Sequence, residues 1–207
     1  NCPYPPDAKN IYTPVEKLPP AAKELFTHNP AKAKKLLAEA GYPNGFAFKC
    51  TYGGNNPETI DYLSMIKAQL AKVDVTMEID VMDYPSALSK MTKKVHENGY
   101  YSQQTTGKPL VFIRKSFVTG QTWNAFMMSD PYVDKTWKRL SSDASLSQKQ
   151  LDAELKKMGV YIIEQAPMIF LGSSYYYAAR WPWVKNYYGE LRVGAHRASP
   201  IIARIWI

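Results

Sequence analysis

The sequence predicts an α/β fold, a sheet layer flanked by helices, because helical and strand patterns alternate along its first hundred residues. Three segments carry apolar residues three and four positions apart, as one face of a helix requires: 29–41, 57–73 and 83–97. Each is followed by a short stretch suited to a strand: 46–52, 75–81 and 99–106. Strands separated by amphipathic helices favour a layered fold with right-handed crossovers.

The first helix is the most fully specified of the three. Asn29 is a suitable N-cap, Pro30 is favoured in a first turn, and Gly41 can end the helix. Four apolar residues form one stripe that we expect to be buried: Ala33, Leu36, Leu37 and Ala40. The turn "GYPNG" then leads into the strand "FAFKCTY".

The second helix and strand have equally clear faces. The helix places four apolar residues on one side: Leu63, Ile66, Leu70 and Val73. In "VTMEIDV" four apolar residues alternate with polar ones and are expected to point inward: Val75, Met77, Ile79 and Val81. The strand should therefore have one covered face and one solvated face, the latter carrying Glu78 and Asp80. Asp83 is the expected N-cap of the third helix.

The second half of the chain is less regular. "KPLVFIRKSFVTG" lacks a clean period and is interpreted as helix or loop. Helices are predicted for 130–143 and 145–165, the second with this apolar face: Leu151, Leu155, Met158 and Ile162. "MIFLGSSYYYAAR" and "PIIARIWI" are interpreted as strands. The first 28 residues are rich in proline, which predicts an extended arm or linker.

The 207-residue chain has a net charge of +8, yet its lysines are scattered over helical segments such as "KAKK" and "LKK". This distribution favours solvated helix surfaces, so no nucleic-acid partner is expected. A basic module that binds nucleic acid or an anionic surface is one alternative, and it predicts a single basic face.

Side chains suited to catalysis or metal binding are few. We interpret all three histidines as surface residues: His28, His96 and His196. Cys2 and Cys50 are either a disulfide pair or two unconnected thiols. No metal-ligand spacing or nucleotide-binding motif is present, so the sequence predicts no enzyme, no cofactor and no metal. A hydrolase on an α/β scaffold is the second alternative, and it would require a nucleophile and base in one pocket.

The segment "GYYSQQTTG" is the best candidate for ligand contacts. It places tyrosines, hydroxyls and side-chain amides at the expected carboxyl end of a strand, where ligands of open α/β sheets bind. Tyr100 and Tyr101 have a competing explanation, since aromatic residues in strands commonly pack on either side of a sheet.

Several segments together resemble the C-terminal half of family 5 extracellular solute-binding proteins, the binding components of bacterial peptide and nickel ABC importers. The matching stretches are "NPAKAKKLLAEAGYPNGF", "IKAQLAKVDVTMEIDVMDYPSALSKM", "IIEQAPMIFLGSSYYYAARWPWVKNYYGE" and "ARIWI", in that order. The resemblance implies one lobe of a two-lobed type II periplasmic-binding-protein fold, with a mixed sheet flanked by helices.

The resemblance also implies an organisation and a set of partners. Residues 29–185 would form the second, ligand-binding lobe, after the arm 1–28, and residues 186–207 would return toward the first lobe of the same protein. The partners would be a peptide or other small polar solute and the permease subunits of an ABC importer. The protein would lie outside the cytoplasm, in the periplasm or as a cell-surface lipoprotein.

The family's peptide binders carry "GW-x-x-D", whose aspartate pairs with the free amine of the peptide. In "GYYSQQ", Tyr100 occupies the tryptophan position and Gln103 the aspartate position. Glutamine has no charge to pair with an ammonium group, so this departure favours a neutral or sugar-like solute, or a peptide held through its backbone. The expected ligand-contacting residues, the last two from "GQTWNAF", are Tyr100, Tyr101, Ser102, Gln103, Gln104, Trp123 and Phe126.

Overall fold

The computed structural model describes residues 3–6, 8–97, 99–102, 108–171, 179–188 and 203–206. The chain forms two compact units, Asn1–Leu171 and Gly172–Ile207. A 3-10 turn at Val15–Lys17 precedes the α-helices of the first unit, which are α1 (Pro20–Glu24), α2 (Pro30–Glu39), α3 (Pro57–Ala71), α4 (Tyr84–Thr92), α5 (Pro109–Phe117), α6 (Pro131–Ser142) and α7 (Gln148–Glu164). Its strands are β1 (Phe46–Gly53), β2 (Val75–Met82) and β3 (Gly99–Tyr101).

The three strands form one sheet in the order β2–β1–β3. β1 is central and runs parallel to both neighbours. Phe46 is paired with Val75 at the start of β1, and Cys50 is paired with Gly99 at the start of β3. The predicted α/β fold class is confirmed.

Helix α2 begins and ends as its sequence predicts, but its apolar stripe is not buried. The Asn29 side chain accepts a hydrogen bond from Lys32 N at 3.0 Å, and Gly41 follows the helix with φ +90°. None of the helix residues is buried, and Leu36 is 52 % exposed. The capping signals are local and act regardless of packing, whereas burial requires a partner surface.

One face of the sheet packs against α3. Cys50 and Tyr52 of β1, Met77 of β2 and Leu63 of α3 form a buried cluster. Cys50 is a free thiol whose pKa is raised by burial, while Cys2 lies outside the described residues. The predicted inward alternation of β2 fails at its end, since Val81 is 44 % exposed.

Helix α4 packs against the opposite face of the sheet at the carboxyl end of β1. The predicted solvated face of β2 is correct for Glu78, which is exposed, but not for Asp80, which is half-buried. Ala87 and Met91 of α4 are buried. Asp80 of β2 accepts hydrogen bonds from Lys90 Nζ at 3.0 Å and Thr51 Oγ1 at 3.3 Å. Helix and sheet are thus joined by apolar contact and by a partly buried ion pair.

A second core lies among α5, α6 and α7. Its most deeply buried residues are Ile113, Phe117, Val133, Met158 and Ile162. The stretch interpreted as helix or loop is helical over α5, because Phe112, Ile113, Ser116 and Phe117 form a face that this core buries. At the start of α6, Asp130 Oδ1 accepts from Tyr132 N and Val133 N, and its Oδ2 accepts from Tyr161 Oη at 2.8 Å.

The described part of the proline-rich first 28 residues packs onto α7 instead of extending freely. Leu18 and Ala22 form a buried cluster with Ile163. The buried Tyr4 hydroxyl donates to Leu155 O at 3.0 Å. Proline prevents a long helix here, yet two short helical turns suffice to present apolar residues to the core.

In the second unit, Trp181 and Trp183 stack with ring centroids 4.8 Å apart, and Lys185 forms an antiparallel bridge with Trp206. The strand predicted from Met168 is wrong over residues 168–171, which have no strand pairing, and residues 172–178 lie outside the described part. Among the described helices, none combines the length and apolar character needed to cross a membrane.

Candidate functional site

The carboxyl ends of the three described strands lie side by side. Gly53 ends β1 beside Met82, the last residue of β2, and β3 ends on the other side of β1 at Tyr101. In open parallel sheets, the loops leaving this end form the ligand crevice. We call this region the carboxyl edge: residues 52–56, 82–84 and 100–102.

The loop after β1 is held by backbone contacts. Gly54 N donates to Met82 O at 3.0 Å. A side chain at Gly54 would place its Cβ 2.7 Å from Tyr52 Oη, and φ there is +155°, so glycine is required. The Asn56 side chain accepts from Thr59 N at 3.3 Å and caps α3. The loop therefore leaves the strand in a fixed direction.

Tyr84, which our sequence reasoning did not select, projects at the start of α4 with 56 % of its surface exposed. It follows the N-cap Asp83, whose carboxylate accepts from Ser86 N at 2.9 Å. Hydrogen bonds from the Ser86 hydroxyl and backbone N–H lower the pKa of Asp83. A tyrosine directly after a strand end and a helix cap is the signal that could have identified it.

Tyr101 is directed toward the α3 side of the sheet. Its ring meets Tyr52 and Tyr62 edge to face, with centroids 5.8 Å and 6.5 Å apart. These contacts make Tyr101 part of the packing between sheet and helix. Ser102, the next residue, is exposed. The predicted contacts Gln103 and Gln104 lie outside the described residues.

Tyr100 is half-buried and packs edge to face against His96, with centroids 5.7 Å apart. Burial and the nearby Tyr84 raise the pKa of Tyr100. His96 was expected on the surface, but this prediction is wrong, because its side chain is only 7 % exposed. Its Nε2 donates to the carbonyl oxygen of Ala125 at 2.9 Å, and the two residues are 29 positions apart in the sequence.

Trp123 and Phe126, both between α5 and α6, have different surroundings. Trp123 is 40 % exposed, and Lys115 Nζ lies 4.9 Å from its ring centroid. Phe126 stacks on Phe117 with centroids 5.7 Å apart and belongs to the helical core. The structure thus leaves Trp123 accessible and uses Phe126 in packing.

A shallow depression lies between the N-terminal segment and α7. It is lined by residues that include Tyr4, Ile11, Thr13, Gly159 and Ile163, and by none of the expected ligand contacts. The described part of the chain contains no group of three or more His, Cys, Asp or Glu side chains suited to a metal ion. The carboxyl edge is therefore the better candidate site.

Residues 3–138 match a family model described as bacterial extracellular solute-binding proteins, family 5, middle. A glutathione-binding protein, GsiB, from Pectobacterium atrosepticum is 30 % identical over 161 residues. That alignment covers 72 % of this chain and 30 % of GsiB, so the chain spans about a third of that relative.

Solved structures share the fold. HbpA2 from Haemophilus parasuis matches with a TM-score of 0.65 and 21 % identity, over 77 % of this chain and 31 % of that one. The periplasmic binding protein DppA from Helicobacter pylori, in complex with the peptide STSA, matches with a TM-score of 0.62 and 22 % identity. That match covers 80 % of this chain and 31 % of DppA.

Proposed function

The chain belongs to the family 5 bacterial extracellular solute-binding proteins, and on this basis we propose that it forms one lobe of the binding component of an ABC importer. The family match over residues 3–138 carries the proposal. Its partners would be a first lobe of the same protein and permease subunits in the membrane. The whole protein would act outside the cytoplasm, in the periplasm or as a surface lipoprotein.

The carboxyl edge supports a binding role through ring surfaces and neutral hydrogen-bonding groups. Tyr84 and Ser102 are exposed there, and Tyr100 lies at the end of β3. Tyrosine and serine hydroxyls donate and accept hydrogen bonds without carrying charge. Trp123 adds an accessible indole. It lies on the loop whose Ala125 carbonyl binds His96, and His96 packs against Tyr100. We assign Gln103 and Gln104 to the same ligand-contacting surface from the sequence.

The proposed ligand is a peptide or another small polar solute held without an ammonium–carboxylate pair. This follows from Gln103, which stands where the resemblance places an aspartate. A crevice of this kind gains affinity from burial and selectivity from a few polar groups. Closure of two lobes around the solute is the hinge motion that would complete the site.

The test uses the full-length gene product. Mass spectrometry of molecules released from the purified protein should recover a peptide or small polar solute. Calorimetry with glutathione as the probe, the compound named in the relative GsiB, then measures affinity. Tyr100→Ala should weaken binding about tenfold, because a ring at the edge of the crevice is lost. Tyr42→Ala, a change at a tyrosine 51 % exposed in the turn after α2, is the control.

A second probe distinguishes a ligand held through its charged amine from one held by neutral groups. N-acetylated glutathione lacks the free amine, so with the neutral Gln103 it should bind within about threefold of glutathione. A much larger loss would show that the amine is anchored by a charge. If Tyr100→Ala binds as tightly as the unaltered protein, Tyr100 is a packing residue and the proposed site is wrong.

A further inference from the structure

The segment that joins α4 to β3 has a fixed backbone. Lys94 has the left-handed φ of +59°, and its N–H donates to Met91 O at 3.1 Å. Val95 N donates to Lys90 O at 3.0 Å. These bonds close the carboxyl end of α4 and determine where the side chains of Lys94 and His96 point.

Lys94 uses its ammonium group to bind a distant loop. Its Nζ donates to Thr122 O and to Asn124 O, each at 2.7 Å. Burial lowers the pKa of Lys94. Both acceptors are backbone carbonyl oxygens of residues 121–128, which we call the 121–128 loop. Bonds from a charged donor are stronger than those between neutral groups.

His96 binds the same loop one residue farther along. Because Ala125 O can only accept, the 2.9 Å contact fixes the proton on Nε2. Nδ1 is buried and has no hydrogen-bond partner within the described part of the chain. The edge of the ring contacts Tyr100, so one side chain touches both the loop and β3.

The 121–128 loop is internally closed, so it can be held at a few points. The Asn124 side chain is 2 % exposed and donates to Val118 O at 3.1 Å and Met128 O at 2.7 Å. Its Oδ1 accepts from Met128 N at 3.1 Å. Holding the carbonyl groups of Thr122, Asn124 and Ala125 therefore positions the loop together with Trp123.

We propose that Lys94 and His96 are positioning residues that latch the 121–128 loop to β3 and set Trp123 relative to Tyr100 around the solute. This inference rests on the proposed function, because it gives Trp123 and Tyr100 their role. The latch predicts that ligand affinity depends on two side chains that need not touch the ligand. It also predicts that a glutamine at position 96 preserves the loop, since its amide can donate from a place similar to Nε2.

The variants are His96→Leu and Lys94→Met, with His96→Gln as the rescue. Lys93→Met is the matched control, because it removes the same charge from an exposed neighbour. The full-length protein is labelled with 5-fluorotryptophan, and the Trp123 resonance is assigned with Trp123→Phe. His96→Leu and Lys94→Met should shift or broaden that resonance and weaken glutathione binding about tenfold. His96→Gln and Lys93→Met should change affinity less than about twofold.

Unchanged Trp123 resonance in both loss-of-contact variants would overturn the latch. A shifted resonance with unaltered glutathione affinity would overturn its positioning role. If His96→Leu does not fold, Lys94→Met decides the question, because that side chain is only partly buried. If the unaltered protein binds no solute, the proposed function fails, and the resonance alone decides whether the latch exists.

Discussion

Gly53 illustrates how a single residue determines the approach of two elements at the carboxyl edge. A Cβ at this position would lie 2.6 Å from Ala87 Cβ and 3.4 Å from Tyr84 Cα. Carbon atoms without a bond between them do not approach to 2.6 Å, so α4 can lie this close to β1 only beside glycine. Because Gly53 has no side chain, Tyr84 can lie at the carboxyl edge.

Gly53→Ala should therefore lower the free energy of unfolding by about 1–3 kcal/mol through overpacking. Urea denaturation measures the change. Ala87→Gly alone should also destabilise, since glycine in a helix costs about 1 kcal/mol. The double variant should lose less than the sum of the two single losses, because removing the Ala87 methyl makes room for the new one. Strict additivity would show that the two positions do not compete for space.

His96 marks the limit of what can be predicted at the residue scale. Its sequence context, beside lysines at a predicted helix end, gives no sign of burial. Its burial depends on Ala125 and Tyr100, one of them 29 residues away along the chain. Contacts of this length have no periodic pattern, so a single sequence does not display them.

At the scale of elements, α6 depends on one carboxylate for both its start and its attachment to α7. Asp130 caps the helix through Tyr132 N and Val133 N, and accepts from the Tyr161 hydroxyl. The hydrogen bond to Asp130 raises the pKa of Tyr161. The Asp–Pro pair predicts the cap, but the bond to Tyr161 is visible only in the folded chain.

Asp130→Ala should destabilise the protein by about 1–2 kcal/mol, because the cap is lost. Asp130→Asn should remain close to the unaltered protein, since asparagine is also a good N-cap. Thermal unfolding compares the two variants. In both, NMR titration of labelled tyrosine should find the pKa of Tyr161 lowered toward its ordinary value. Equal destabilisation by alanine and asparagine would mean that the charge, and not the cap, stabilises α6.

Sequence patterns predicted the elements better than their surroundings. The alternation at the start of β2, the caps of α2 and α4 and the apolar face of α7 are local properties, and all are present. Asp80 was assigned to solvent because a charged residue alternating with apolar ones resembles an exposed face. The structure pairs it with Lys90 of α4 and leaves it half-buried, whereas Glu78 on the same strand is exposed as predicted. Polarity alone does not distinguish a solvated carboxylate from one that is ion-paired with a neighbouring helix.

At the scale of the whole molecule, positive charge is distributed among ion pairs on separate elements. Lys34 pairs with Asp74 at 2.6 Å near α2, and Lys157 pairs with Glu154 at 3.1 Å on α7. Such pairs neutralise part of the surface locally. The net charge of +8 is thus compatible with ordinary solvated helices.

The protein should accordingly show no saturable binding to a labelled oligonucleotide at about 150 mM salt. Fluorescence anisotropy measures this directly. The expectation follows from the absence of a phosphate-binding motif in the sequence and from the family to which the chain belongs. Submicromolar affinity that falls steeply with added salt would favour the nucleic-acid alternative instead.

The alternation of Tyr100 and Tyr101 has an evolutionary consequence. One residue of β3 meets His96 and the neighbouring one meets Tyr52 and Tyr62, on opposite faces of the sheet. If Tyr100 contacts the solute as proposed, substitutions there can alter selectivity while the packing beneath α3 is preserved. The two adjacent positions would then be under different selection. Residue 100 could change with the solute that the protein binds, whereas residue 101 would be constrained by folding.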